Sequence, residues 1–204
     1  MNQLRQVIAS FEELLLPTIC MQCEVRIPSG WICPKCRKFL RPAVNVLTPE
    51  NSPLYEIHAI WRYDGAIRLA IERWKYGKMP QLGELLLQEY YTKEWAETTL
   101  STTYDAIVPI PPHWYHVRHR GFDPVHQIAT HLAQLLDTPV VKALSRIGIA
   151  KPQVASSDSE RESNVKGKFH CCTPVSGSIL VVDDVITTGS TLREAAITLK
   201  SDTV

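Results

Sequence analysis

The chain has 204 residues, 45% of them hydrophobic and 21% charged, which suits one domain with a real core, or one domain plus a small module. Lys and Arg (22) nearly cancel Asp and Glu (21), leaving +1, so bulk positive charge is excluded as a means of binding and only local basic patches remain. No apolar run approaches the ~20 residues of a membrane helix, and Glu12 and Glu13 interrupt the N-terminal segment where a secretion signal is purely apolar. A cytoplasmic protein with no membrane insertion is expected.

Leu4, Val7, Ile8, Phe11, Leu14 and Leu15 fall on one helical stripe over residues 4–16, stopped by Pro17. Cys20, Cys23, Cys33 and Cys36 follow as two C-x2-C pairs, each able to aim two thiolates at one point, the arrangement of a tetrahedral structural zinc site. Disulfides would need an oxidising compartment, and a redox-active or lost site is the other alternative. The stretch 18–41 is poor in apolar residues, so metal must supply much of its folding energy. Pro42, Pro49, Pro53, Asn45 and Asn51 mark a linker, giving a first unit over residues 1–54 and a second over 55–204.

The second unit opens with a strand over 56–63. A turn at Asp64-Gly65 leads into a helix carrying Ile67, Ala70, Ile71 and Trp74, and a further helix spans about 81–97. Residues 105–110 form a short apolar strand and 113–122 a polar loop. Val125, Ile128, Ala129, Leu132 and Leu136 mark a helix, and 139–142 is a strand candidate. Residues 145–168 read as a mobile loop or small hairpin. Ile179–Val182 is a strand buried on both faces, and Leu192, Ala195, Ala196 and Leu199 line the last helix. Cys171 and Cys172 read as ordinary, partly buried cysteines. The alternation is that of an α/β fold with a parallel sheet, whose ligands bind beyond the carboxyl ends of the strands.

At that place stands the most informative segment. The strand runs into Asp183 and Asp184, then Val185 and Ile186, then a turn of Thr187, Thr188, Gly189, Ser190 and Thr191 that opens a helix. Thr191 and Glu194 have capping-box spacing. Helix-start N–H groups, four hydroxyls and one glycine suit a phosphate, and two acids just before them suit sugar hydroxyls.

Residues 179–191 resemble the phosphoribosyl pyrophosphate (PRPP) motif of type I phosphoribosyltransferases at all thirteen positions. With the cysteine pairs, WKYGK at 74–78, VPIPP at 108–112, RHRGF at 118–122, Gln153 and R-x-x-N-V-x-G-x-F at 161–169, the chain resembles the ComF family of competence proteins along nearly its whole length. The resemblance implies a type I phosphoribosyltransferase-like parallel sheet flanked by helices behind a small N-terminal zinc-binding module. It implies catalytic Asp183 and Asp184, PRPP binding by 185–191, and structural Zn²⁺, with Mg²⁺ accompanying PRPP. Arg118, Arg120 and Lys75 would lie on the pyrophosphate side. The family pattern also continues past the last helix, so a C-terminus shortened at Val204 is expected. Asp123-Pro124 stands where the family usually has Asn-Gln, and Ala150 where Thr is frequent.

Two readings of function follow. One is 5-phosphoribosyl transfer from PRPP in DNA uptake. The other is a non-catalytic module that senses PRPP or a related nucleotide and engages single-stranded DNA or helicase machinery. In the second, Trp114, Tyr115 or Phe122 would stack on bases, and Lys35, Arg37, Lys38 and Arg41 would meet phosphates. His113, His116 and His119 lack a completing acid or cysteine and are set aside as metal ligands. The basic residues Arg161, Lys166 and Lys168 read as a solvated loop or as a lid.

Overall fold

The computed structural model describes residues 18–43, 48, 52–77, 79–100, 103–147 and 167–201. The expected helix over 4–16, Lys78, Gln153, Arg161 and Lys166 lie outside them.

Strand β1 (Ala106–Pro109) is buried at all four positions and is the centre of the α/β unit. It pairs in parallel with β4 (Ile179–Val182), in register from Ala106 opposite Ile179 to Pro109 opposite Val182. On its other edge Ile107 bridges Val140 in parallel, giving Val141 N–H to Ile107 O at 2.9 Å. The strand expected at 139–142 shrinks to this bridge. Pro139 has no N–H to donate, and the Ala143 N–H turns back onto Val141 O at 2.9 Å, which ends the extended run. A separate antiparallel pair, β2 (Leu144–Arg146) with β3 (Phe169–Cys171), flanks the stretch 145–168 expected as a mobile loop or small hairpin, most of which lies outside the described residues.

Helices cover the sheet. Helix α6 (Pro124–Leu136) buries Val125, Ile128, Ala129 and Leu132, as its spacing requires. Asp123 Oδ1 accepts from the Val125 and His126 N–H groups at 3.0 and 3.1 Å, and Pro124 sits at the first helical position, so the Asp-Pro pair is a helix start. Helix α7 (Ser190–Ser201) buries Leu192, Ala195, Ala196 and Leu199. Helices α2 (Gly65–Tyr76) and α3 (Pro80–Tyr90) pack beside α6, Trp74 Nε1 donating to Gln127 Oε1, and cross where Trp74 lies on Gly83. A Cβ at Gly83 would stand 2.2 Å from Trp74 Nε1, so only glycine allows that approach.

Four expectations change. The helix expected over 81–97 breaks after Tyr90 and resumes as α4 (Lys93–Thr99), because Thr92 Oγ1 caps Trp95 N–H at 3.1 Å while Tyr91 turns inward between Trp95 and His131. Residues 56–63 form no continuous strand: Ile57 and Trp61 are isolated bridge positions, the latter antiparallel to Pro42 in the short tail of the cysteine module. The loop expected over 113–122 contains α5 (Trp114–Arg120), capped by His113 Nδ1 on Tyr115 N–H and closed by Gly121 at φ +83°. In β4 only Val182 is buried; Ile179, Leu180 and Val181 are half-buried, because they line a cavity of about 580 Å³ against residues 53–60 and α7.

The cysteine module is not loosely attached. Met21, Ile27, Trp31 and Ile32 are buried in the same hydrophobic cluster as β1 and α6. Trp31 Nε1 donates to Glu89 Oε2 at 2.8 Å, and Arg37 pairs with the same carboxylate. No described helix is long and apolar enough to cross a membrane.

Candidate functional site

The cysteine cluster is built by local backbone. Glu24 N–H bonds Cys20 O and Cys20 N–H bonds Val25 O, both at 2.9 Å, folding the first C-x2-C into a knuckle. Cys33 caps the single-turn α1 (Pro34–Arg37), with Cys36 N–H on Cys33 Sγ at 3.4 Å. The four Sγ atoms lie within 4.8 Å of one another, and those of Cys23 and Cys33 are 3.8 Å apart. Tetrahedral zinc with bonds of about 2.3 Å needs sulfurs about 3.8 Å apart, so the set fits that ion. Burial alone would raise the Cys20 thiol, but N–H groups of Cys33, Cys23 and Gln22 outweigh it and hold the group down to about 6. Burial, then the neighbouring thiols, push Cys36 up to about 12. Four thiols that share charge so unequally are the kind a divalent cation would ionise together. All six cysteines are free; Cys171 is half-buried and Cys172 exposed. Of the basic residues around the second knuckle, Arg37 pairs with Glu89 and Arg41 with Asp64 at 2.6 Å, which leaves less charge for a nucleic acid.

At the end of β4 the two acids have different fates. Asp184 Oδ1 meets Lys75 Nζ at 2.7 Å, both side chains 13% exposed. Lys75, expected to face a phosphate, is therefore held across the site by the last turn of α2. Burial, then the Asp184 charge, raises the Asp183 carboxyl to about 7, against the weaker lowering effects of Asp184 N–H, Lys75 and Arg146. Asp183 Oδ1 accepts from Asp184 N–H at 2.9 Å.

Beyond the acids the chain turns through Thr187, Thr188 and Gly189. Gly189 has φ +75° and nothing within 4 Å of a would-be Cβ, so its backbone is open to a ligand. Thr188 Oγ1 accepts from Ser190 N–H at 3.4 Å and lies 3.0 Å from Ser190 Oγ. The expected Thr191–Glu194 capping box gives way to another arrangement: the helix starts at Ser190, and Glu194 Oε1 accepts from Gly167 N–H at 2.6 Å, tying Gly167 to α7.

Arg118 and Arg120 stand on α5. Arg120 lies over the Tyr76 ring, 4.8 Å from its centroid, and its Nε is buried without a partner. Arg118 is exposed on the same helix. His113 is 9% exposed; its Nδ1 accepts from Tyr115 N–H, so Nε2 carries the proton, and that atom too has no partner. Burial, then Arg120, His113, Arg146 and His119, hold His116 below its ordinary range. Arg146 escaped the sequence reading. It stands on β2, over the Phe169 ring at 5.3 Å, within electrostatic reach of Asp183, and its Nε is buried and unpaired. The only sequence signal for it is a basic residue in a three-residue strand.

These features have relatives. The chain is 25% identical over 187 residues to Competence protein F of Haemophilus influenzae, covering 86% of this chain and 81% of that protein. It is 27% identical over 212 residues to DNA utilization protein YhgH of Salmonella typhimurium, and 26% over 213 residues to the protein of that name in Escherichia coli O157:H7, in both cases over 90% of this chain and 91% of the relative. The resemblance to the ComF family is shown over most of the chain. No protein-family model matches.

Proposed function

We propose that this chain binds PRPP, or a closely related phosphosugar diphosphate, at the β4–α7 turn and transfers its 5-phosphoribosyl group, in the service of DNA uptake. One observation carries the reading: Asp183 and Asp184 close a parallel strand directly before a hydroxyl-lined turn whose Gly189 backbone stands open. In this reading the acids accept from ribose hydroxyls, and the N–H groups and hydroxyls of 187–191 hold the 5′-phosphate. In this reading the diphosphate lies towards Arg118 and Arg120 of α5 and towards Arg146, which is within electrostatic reach of Asp183. Rate enhancement comes from positioning and from fixed charges aimed at the developing charges. Mg²⁺ would neutralise the diphosphate; two carboxylates, one of them paired with Lys75, leave most of its ligands to phosphate oxygens and water. The role in DNA uptake is supported by the names of the relatives.

The test is calorimetry with PRPP and Mg²⁺, alongside a pyrophosphate-release assay. Binding is expected in the native protein and absent in Asp183→Asn/Asp184→Asn. Undiminished affinity in the double variant places the site elsewhere. A second reading, nucleotide sensing with single-stranded DNA binding, is favoured by Trp114 and Tyr115, 62% and 52% exposed beside Arg118. Salt-sensitive DNA binding without turnover would support it.

A further inference from the structure

Among the described ion pairs, Lys75 with Asp184 is the least exposed. Both side chains are 13% exposed, against 60% and 35% for Arg41 with Asp64 and 61% and 37% for Arg68 with Glu72. Among the described residues no other cationic side chain comes within ion-pair distance of either acid. The pair is held from both ends. Trp74, the residue before Lys75, is buried, lies on Gly83 and is tied to Gln127, which fixes how the last turn of α2 is rotated. Tyr76, the residue after, lies under Arg120. Asp184 follows directly on β4, whose pairing with β1 sets its direction.

A buried ion pair is a poor means of stabilising a fold. Desolvating two charges costs about what their attraction returns, and apolar side chains of similar volume do as well or better. The buried positions of α2 are Ala66, Ile67, Ala70 and Trp74, so the core does not need a charge at position 75. Without Lys75, two adjacent carboxylates would stand beside a hydroxyl-lined turn. Such hard oxygen donors attract a divalent cation. Lys75 puts a single positive charge there instead, on a flexible four-carbon stem.

We propose that Lys75 is the resident counter-cation of this site, a positioning residue that keeps the acid pair closed to free divalent metal. To admit a free ion, Lys75 would have to leave a mostly buried carboxylate with no partner to go to. To admit the same ion carried on a diphosphate, Lys75 exchanges one oxyanion for another and stays paired. The exclusion of the free ion stands by itself. The exchange onto a diphosphate rests on the function proposed above, and it makes metal entry depend on that ligand.

The test uses the full-length protein with its zinc retained and Mn²⁺ as the probe. Uptake is read as loss of the free-ion electron paramagnetic resonance signal and by calorimetry. Lys75→Met and Lys75→Gln should each bind Mn²⁺ at least tenfold more tightly than the native protein, the equivalent of about 1.4 kcal/mol. The gained site should vanish in Lys75→Met/Asp184→Asn. Lys75→Arg keeps the charge and should refuse the ion as the native protein does. Loss of a merely structural residue would loosen the site and weaken metal binding, so a gain separates the two roles. Equal Mn²⁺ affinity in the native protein and both neutral variants overturns the proposal, and so does a gained site that persists in Lys75→Met/Asp184→Asn. A measurement on the native protein needs no variant. Mn²⁺ with inorganic pyrophosphate should bind at concentrations where Mn²⁺ alone does not. Equally tight uptake of Mn²⁺ alone overturns the exclusion, and failure of the pair to bind overturns the exchange. PRPP that fails to bind the native protein, with Mn²⁺ uptake still gained in Lys75→Met, would overturn the proposed function and leave the exclusion standing.

Discussion

The cysteine cluster and the acid site are assembled in opposite ways. Between Cys20 and Cys36 short-range hydrogen bonds accompany four sulfurs that lie within 4.8 Å of one another, all from one stretch of seventeen residues. The acid site takes Lys75 from α2, Arg146 from β2, and Asp183 and Asp184 from the end of β4. A local site can be held by one ion. A composite site needs each element placed by the core, and here a buried ion pair spans it.

The largest effect should follow from loss of the metal. Folding free energy linked to a structural zinc is on the order of 10 kcal/mol in small modules. Cys20→Ser/Cys36→Ser should abolish stoichiometric zinc by elemental analysis and make 18–41 the first segment cleaved in limited proteolysis. Because Trp31 docks on Tyr90 and Glu89, the melting temperature of the whole chain should fall as well. An unchanged melting temperature would show that the module is energetically separate from the α/β unit.

Next in size is the Lys75–Asp184 pair. Removing one partner leaves a buried charge alone, at about 3–5 kcal/mol for such pairs. Asp184→Asn and Lys75→Met should each lower stability in denaturant titration, and combining them should recover much of the loss. Additive losses would mean that the pair does not hold the composite site together.

The smallest of the three concerns Asp183 and has the opposite sign. Burial and the Asp184 charge raise its carboxyl to about 7 in the fold, well above the ordinary aspartate range. The folded state therefore binds the proton more tightly than the unfolded chain. Stability contributed by this group is full below about pH 4, declines as pH rises towards 7, and stays reduced above. Asp183→Asn should flatten that slope and raise the melting temperature at pH 8, with little change at pH 4. A melting temperature equally unmoved at both pH values would remove the argument that Asp183 is buried at a cost for a ligand. Taken with the pair above, neutralising neighbouring acids should move stability in opposite directions.

Much of the chain was legible beforehand. Ile67, Ala70 and Trp74, then Val125, Ile128, Ala129 and Leu132, show their helices by spacing, and all are buried. The apolar run at 179–182 does pair in parallel with 106–109. What spacing misread were elements settled by distant partners. Residues 56–63 have strand composition but pair only at isolated bridge positions such as Trp61 with Pro42, and 81–97 has helical composition broken where Tyr91 packs against Trp95 and His131.

By itself the sequence determined the cysteine ligand set and the order of acids, hydroxyls and glycine at 183–191. Both are contiguous, and their chemistry depends on neighbours a few residues away, where backbone geometry leaves little freedom. Only the tertiary structure decided that Asp184 is held by Lys75 while Asp183 is left buried and proton-binding, and that Arg146 faces it from β2. Those facts are about desolvation and about which side chains meet across the core, and chain order does not encode either until the strands and helices have packed.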